Sequence, residues 1–173
     1  IKKDHPDLVD NIKGGVSFLG GGLQGEDWND DSGHGTHVAG IVSARDNTIG
    51  VVGVAPETDL YAVKVLGADG KGSLIDVALG IYWAADNGMR VANMSLGCDC
   101  DASYLRDAVD YAFQRGVVLV AATGNTGGAV GYPAAYDSVI AGSATNNDDS
   151  LAFFSSRGPK VEVAAPGVNI NST

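Results

Sequence analysis

The sequence predicts an α/β fold with a mostly parallel sheet, and three observations carry the prediction. Short runs of β-branched and aliphatic residues alternate with longer segments whose apolar residues recur three and four apart. One run, "VVLVAATG", is almost unbroken in its apolar character, as a strand covered on both faces would be. Glycine, 25 residues of 173, recurs where these segments end and turns are expected. Strand, helix, strand, helix, strand in that order implies right-handed crossovers and parallel pairing.

Each element has its own signal. "DSGHGTHVAG", residues 31–40, begins a helix at His34. "LYAVKVL", residues 60–66, reads as a strand that stops at Gly67. In "GSLIDVALGIYWAADNG", Ser73 and Asp76 have the spacing of a capping box, with a carboxylate in the positive first turn. Ile75, Ala78, Leu79, Tyr82 and Trp83 then mark the expected buried face, and Asn87-Gly88 ends the helix. "RVANMSLG" is a strand. "SYLRDAVDYAFQRG" is a helix with Leu105, Ala108, Val109 and Ala112 on one face and Gly116 as its stop. "SVIAGSAT", "LAFFSS" and "KVEVAAPG" add shorter strand candidates after "VVLVAATG". With no repeat, low-complexity tract or linker, residues 1–173 are expected to form a single domain.

Composition bounds the function. A chain with 45% hydrophobic and 18% charged residues is expected to be globular. No apolar run reaches the ~20 residues that cross a bilayer, so no membrane partner is expected. No signal peptide is visible, although "IKKDHPDLVD" need not be the natural beginning. The net charge of −10 disfavours nucleic acid, whose phosphates call for clustered positive charge. An acidic surface also fits a salty or calcium-rich setting. The two cysteines, Cys98 and Cys100 in "CDCD", are too close in sequence for an unstrained mutual disulfide.

In α/β sheets, ligands sit beyond the carboxyl ends of the strands. There the sequence places "GADGKGS", "SLG" and "TGNTGG", with the His34 helix start at the same rim. Residue chemistry alone leaves three roles open for the histidines. Zinc is one, although His34 and His37 are three apart, without the four-residue step and intervening acid of helical zinc sites. Packing is the second, and suits His37 among Val38, Ala39, Ile41 and Val42. A general base is the third, and suits His34, whose flanking Gly33 and Gly35 leave room for a substrate or another backbone.

"HGTHVAG", "GVAP", "YAVKVLGADGKGS", "NMSLG", "AATGN", "GYPAAY" and "FSSRGP…APG" resemble, in this order, the motifs of subtilisin-like serine proteases. The likeness runs from "HPDL" to the last residue. It implies a subtilisin-like three-layer sandwich, its central sheet flanked by helices and truncated at both ends, with residues 1–173 a single partial catalytic domain. It makes His34 the triad histidine and Asn125 the side-chain donor of the oxyanion hole. Gly70, Gly72 and Ser95-Leu96-Gly97 would pair with an extended substrate, which gains affinity through main-chain bonds and preference through pockets. Ser95 to Gly97 and Ala122-Thr123-Gly124 would line the pocket for the residue before the cut. A broad preference for large apolar residues follows, with Thr123 narrowing the pocket.

The resemblance also implies structural calcium. "RDNTIG" matches a family loop, with Asp7, Asn47 and the backbone oxygens of Arg45, Ile49 and Val51 as ligands, all hard oxygen donors. A weaker second site would use carbonyls of Ala134, Tyr136 and Val139. The family's catalytic aspartate precedes "HPDL" and its serine follows "APGVNINST", so both are expected outside these residues. Ser155, Ser156 and Ser172 stand in the wrong motifs to replace that serine, and Asp4 and Asp7 to replace the aspartate. The chain is therefore expected to be a piece of a longer protease, inactive and poorly stable alone, with unpaired sheet edges. The parent is expected to be a secreted monomer acting on proteins or peptides, with an intracellular relative as the alternative. The alternative is a non-catalytic, calcium-stabilised peptide-binding module using the same cleft. "GCDCDAS" departs from the family pattern after "SLG", and a free cysteine there would make the parent sensitive to thiol reagents.

Overall fold

A computed structural model of the chain describes residues 1–21 and 24–173. Among them the elements run β1 (Ile12–Ser17), α1 (His34–Ser43), β2 (Leu60–Lys64), α2 (Leu74–Asp86), β3 (Val91–Met94), α3 (Ser103–Gln114), β4 (Val118–Ala122), β5 (Ile140–Thr145) and β6 (Val163–Pro166). Among the described residues, every pairing between these strands is parallel. The α/β class is as the sequence predicts. The strands form a pair, β1-β2, and a quartet in the order β3-β4-β5-β6. The chain divides into two compact units, residues 1–80 with 171–173, and residues 81–170.

In the first unit, Leu8, Ala39, Ala44 and Leu60 form a buried cluster against which Ile1, Ile12, Val42 and Val51 pack. Buried Asn11 ties it together, its Nδ2 donating to the Ser43 carbonyl (2.9 Å), Ser43 Oγ (2.9 Å) and the Pro56 carbonyl (2.7 Å). Strand β1 is absent from the sequence-based prediction because Gly14 and Gly15 erase its alternation. Gly15 is required there: a Cβ would lie 2.6 Å from the Ala62 carbonyl and from the Trp28 ring.

The quartet is built on α3, whose Leu105, Ala108, Val109 and Ala112 are fully buried, the four residues that its periodicity marks. Its stop is Gly116, at φ +81°. Helix α2 starts as expected, with the Asp76 N–H donating to Ser73 Oγ at 3.1 Å. Its buried face differs from the expected one. Val77, Ala78, Gly80, Ile81, Ala84 and Ala85 are buried, while Ile75 is exposed. The helix is apolar nearly all round, so size decides the face. Gly80 approaches β2 so closely that a Cβ would lie 2.9 Å from the Val63 and Val65 side chains.

Two strand readings need correction. β4 is not covered on both faces: Leu119 and Ala121 are buried, whereas Val118 and Ala122 are exposed. Helix α3 covers one side of it. "LAFFSS" is no strand; beyond one antiparallel bridge from Leu151 to Thr145 it turns, with the Ser155 N–H donating to the Ala152 carbonyl.

Candidate functional site

Helix α1 begins at His34, which is exposed, after Gly33 at φ +88°. Gly33 has no side chain with which to cap the helix, and Asp30 supplies the missing acceptor. Its Oδ1 accepts from the N–H groups of Ser32 and Gly33, both at 2.9 Å. Its Oδ2 accepts from the Thr36 N–H at 2.8 Å and Thr36 Oγ1 at 2.5 Å. Burial pushes this carboxyl's pKa up, but the four hydrogen bonds outweigh it and hold the pKa well below its ordinary value. Asp30 therefore fixes the turn from which His34 projects. His37, one turn on, is half-buried, and its carbonyl accepts from Ser172 Oγ at 2.7 Å.

Gly70, at φ +72°, has open space where a side chain would stand. Gly72 has a different reason for being glycine: its Cβ would lie 2.0 Å from the Val65 carbonyl. The turn between them is closed by the Gly67 N–H donating to the Lys71 carbonyl at 2.9 Å.

In the second unit, parallel pairing of β3 and β4 brings their carboxyl ends side by side, with Met94 opposite Ala121. Ser95-Leu96-Gly97 and Thr123-Gly124-Asn125 continue from those ends. Among the described residues no hydrogen bond engages the backbone of Leu96 or Gly97, or any part of Asn125, which is exposed. Their surroundings are fixed. Cys98 and Tyr132 exchange backbone bonds of 2.9 and 2.8 Å, and the buried Thr123 accepts at its carbonyl from the Gly131 N–H at 3.0 Å. The segment before "RGP" clasps the Asn125 turn: the Ser156 N–H donates to the Gly124 carbonyl at 2.9 Å and the Gly127 N–H to the Phe154 carbonyl at 2.7 Å.

Three serines weighed as nucleophiles have other work. Ser155 and Ser156 are 1% exposed, and Ser155 Oγ accepts from the Ala144 N–H at 2.9 Å. Ser172 is spent on His37.

A third assembly surrounds Asp7, which is 1% exposed. Its Oδ1 accepts from Asn47 Nδ2 at 2.8 Å and its Oδ2 from the Val51 N–H at 3.2 Å. The Ile49 N–H donates to Asn47 Oδ1 at 2.7 Å, and the Arg45 N–H to the Asp7 carbonyl at 3.2 Å. Gly50, at φ +59°, completes the cradle, since a Cβ there would lie 2.2 Å from Asp7 Oδ2. Asp7 thus meets the 45–51 loop through the Asn47 amide and the N–H groups of Arg45 and Val51.

The profile of the Subtilase family matches residues 1–173. The chain belongs to the Subtilase family. Subtilisin BL of Lederbergia lenta is 51% identical over 170 residues, which is 98% of this chain and 61% of that protein. An alkaline protease of Alkalihalobacillus alcalophilus is 51% identical over 170 residues, 98% of this chain and 43% of its own length. Subtilisin DY of Bacillus licheniformis is 49% identical over 179 residues, covering this whole chain and 63% of itself. The subtilase chain thus spans less than two thirds of the length of these relatives.

Within this subtilase, the Asp7 cradle offers one buried carboxylate and one side-chain amide, oxygen donors of the kind a hard cation takes, while Arg45, Ile49 and Val51 meet it through N–H groups. Among the described residues its carboxylate accepts from neutral donors, the Asn47 amide and the Val51 N–H. Asn47 now turns Nδ2 toward Asp7, and holding a cation through Oδ1 requires its amide to turn over. No group of three or more His, Cys, Asp or Glu side chains is placed to hold a metal among the described residues, and the Asp7 set has only one such side chain. Carbonyls proposed for a second site belong to residues that are buried, and that of Tyr136 accepts from the Val139 N–H at 3.1 Å. Sequence reasoning missed Asp30. Its signal is an acid two residues before Ser-Gly at a helix start, the pattern of an Asx turn.

Proposed function

We propose that the chain is the part of a serine endopeptidase that carries the base and the oxyanion donor, and that the parent protein hydrolyses peptide bonds through an acyl-enzyme. The observation that carries this is family membership over all 173 residues, joined to relatives that are subtilisins and alkaline proteases by name. The exposed imidazole of His34 takes the proton of a serine hydroxyl supplied from outside these residues, then delivers it to the leaving amine. The Asn125 amide donates to the carbonyl oxygen as it gains charge. By the family resemblance, Ser95–Gly97 and Gly70–Gly72 are each proposed to pair with extended substrate, and Ala122–Gly124 to line the pocket for the residue before the cut. The unengaged backbone of Leu96 and Gly97 supports strand addition there.

Calcium is proposed as structural, held by Asp7, Asn47 and the carbonyls of Arg45, Ile49 and Val51. It would balance the buried Asp7 charge and take no part in the reaction. Proteins or peptides are the proposed substrates, and secretion the proposed setting. Among the described residues no helix is long and apolar enough to cross a membrane. Alone, the 173 residues are proposed to be inactive.

A serine-directed phosphonate probe tests the reading on the full-length parent. Labelling that His34→Ala abolishes is expected, with none on the 173-residue chain. Peptide binding by a parent that takes no label would instead identify a calcium-stabilised binding module.

A further inference from the structure

The sequence around Cys98 and Cys100 is not used by the proposed reaction, yet the structure organises it closely. Cys98 is held by its two backbone bonds to Tyr132, and a Cβ on Gly131 would lie 3.0 Å from the Cys98 carbonyl. Three residues on, Asp101 is held at both carboxylate oxygens, by Arg106 Nη2 at 2.5 Å and by the Tyr136 hydroxyl at 3.1 Å. That hydroxyl also reaches the Ala102 carbonyl at 3.1 Å. Burial, then the bond to Asp101, pushes the Tyr136 pKa up to about 12, so it stays a donor. Only Asp99 and Cys100 span the distance between these anchors.

Within that span the chain folds back on itself. The Cys100 thiol points at Cys98 Sγ from 2.7 Å, and Cys98 Sγ lies 3.3 Å from the Cys100 carbonyl. Both thiols are free; Cys100 is exposed and Cys98 half-buried. Their spacing argues against an unstrained disulfide, yet the two sulfurs meet here, in a short stretch whose ends are held by the bonds at Cys98 and Asp101.

We propose that Cys98 and Cys100 are a redox modification site at which a low-molecular-weight disulfide closes an intrachain disulfide beside the Ser95–Gly97 segment. The exposed Cys100 thiol loses its proton to solvent, and its sulfur attacks one sulfur of the small disulfide. A mixed disulfide forms on Cys100 and one small thiolate leaves. Cys98 then loses its proton and attacks Cys100 Sγ, which forms the Cys98–Cys100 bond and expels the second thiolate. The two departing thiolates take up two protons, so two cysteines are oxidised as one small disulfide is reduced to two thiols. The order follows from access, since attack needs an accessible thiolate. Burial, followed by the contact with Cys100, also pushes the Cys98 thiol up, which keeps it protonated and leaves the first attack to Cys100.

Stiffening of the substrate segment would follow from closure, a consequence that rests on the protease reading. The thiol chemistry does not, so the two can fail separately. The test treats the reduced, dilute chain with glutathione disulfide, quenches with acid, and follows thiol titre and intact mass. Titratable thiols should fall from two per chain to none, with loss of two hydrogens and no retained glutathione. Cys98→Ser should keep a glutathione on Cys100, and Cys100→Ser should react more slowly. Native wild type should close on the order of tenfold faster than the same chain in urea, because the fold supplies the proximity. Retained adducts on wild type, disulfide-linked dimers, unreacted thiols, or a native rate no faster than in urea would each overturn the proposal.

Discussion

Replacing Asp30 by alanine removes the acceptor of four hydrogen bonds at the start of α1. The cap residue, Gly33, cannot substitute, and the first turn of α1 carries no acid. Loss of a side-chain cap costs about 1 kcal/mol, with a range of about 0.5–2. Hydrogen bonds to a charged group are worth ~1.5–3 kcal/mol each, but these four share one carboxylate and are not additive. Ser32 and Gly33 are exposed and regain water, whereas Thr36 is buried and does not. The expected loss is therefore ~2–3 kcal/mol. Asp30→Asn should cost about half as much, since whichever way the amide turns, its NH2 meets donors instead of an acceptor. The sign with pH follows from a folded pKa held below the ordinary value of 3.8. The contribution is complete above that value and fades as pH falls through the lower folded pKa. Urea unfolding followed by circular dichroism, on wild type, Asp30→Ala and Asp30→Asn, measures this. The gap between wild type and Asp30→Ala should be full near neutral pH and shrink in strong acid. Equal stability near neutrality, or a gap that does not change with pH, would refute the assignment.

Three further outcomes are expected. Calcium should raise the melting temperature of the chain, by the equivalent of ~2.7 kcal/mol at a hundred times its Kd, and a chelator should reverse it; Gly50→Ala, which drives a Cβ to 2.2 Å from Asp7 Oδ2 at φ +59°, should abolish the shift and lower the melting temperature by itself. Leu105→Ala, at the fully buried centre of the α3 face, should cost ~2–5 kcal/mol in urea unfolding. In the full-length parent, Asn125→Ala should lower kcat by ~100- to 1000-fold with KM little changed, the scale that subtilisin itself sets for its oxyanion asparagine.

What could be read from sequence was what a simple period or a motif encodes. Helix α3 is the clearest case, because its polar face is charged and its apolar face is not, so one stripe had to be buried. Helix α2 defeats the same reasoning: with apolar residues on every side, the period marks Ile75 as readily as Val77. The choice between them is made by the close approach of Gly80 to β2, a property of two elements together. Strand β1 hides for the same reason, since Gly15 is selected by the Trp28 ring and the Ala62 carbonyl. The β4 run is apolar on both faces, as a doubly covered strand should be, but coverage depends on what packs there, and only one face is buried.

The candidate site divides along the same line. His34, Asn125 and the "SLG" segment are proposed from motif order, because each would carry its chemistry in a side chain or an adjacent backbone. The residues that hold them in place are not. Asp30 works mostly through N–H groups that any residue would offer, and of its partners only the Thr36 hydroxyl depends on residue type. The cysteine pair shows the converse. Its spacing argues against an unstrained disulfide and says nothing of contact, and the bonds at Tyr132, Arg106 and Tyr136 hold the ends of the stretch in which the two free thiols meet. A local motif therefore reports chemistry dependably and geometry only where no distant anchor bends the chain. On that argument the Cys98–Cys100 turn should relax when its anchor is cut, and Tyr136→Phe, which removes the hydroxyl that joins Asp101 to Ala102, should slow disulfide closure while leaving both thiols in place.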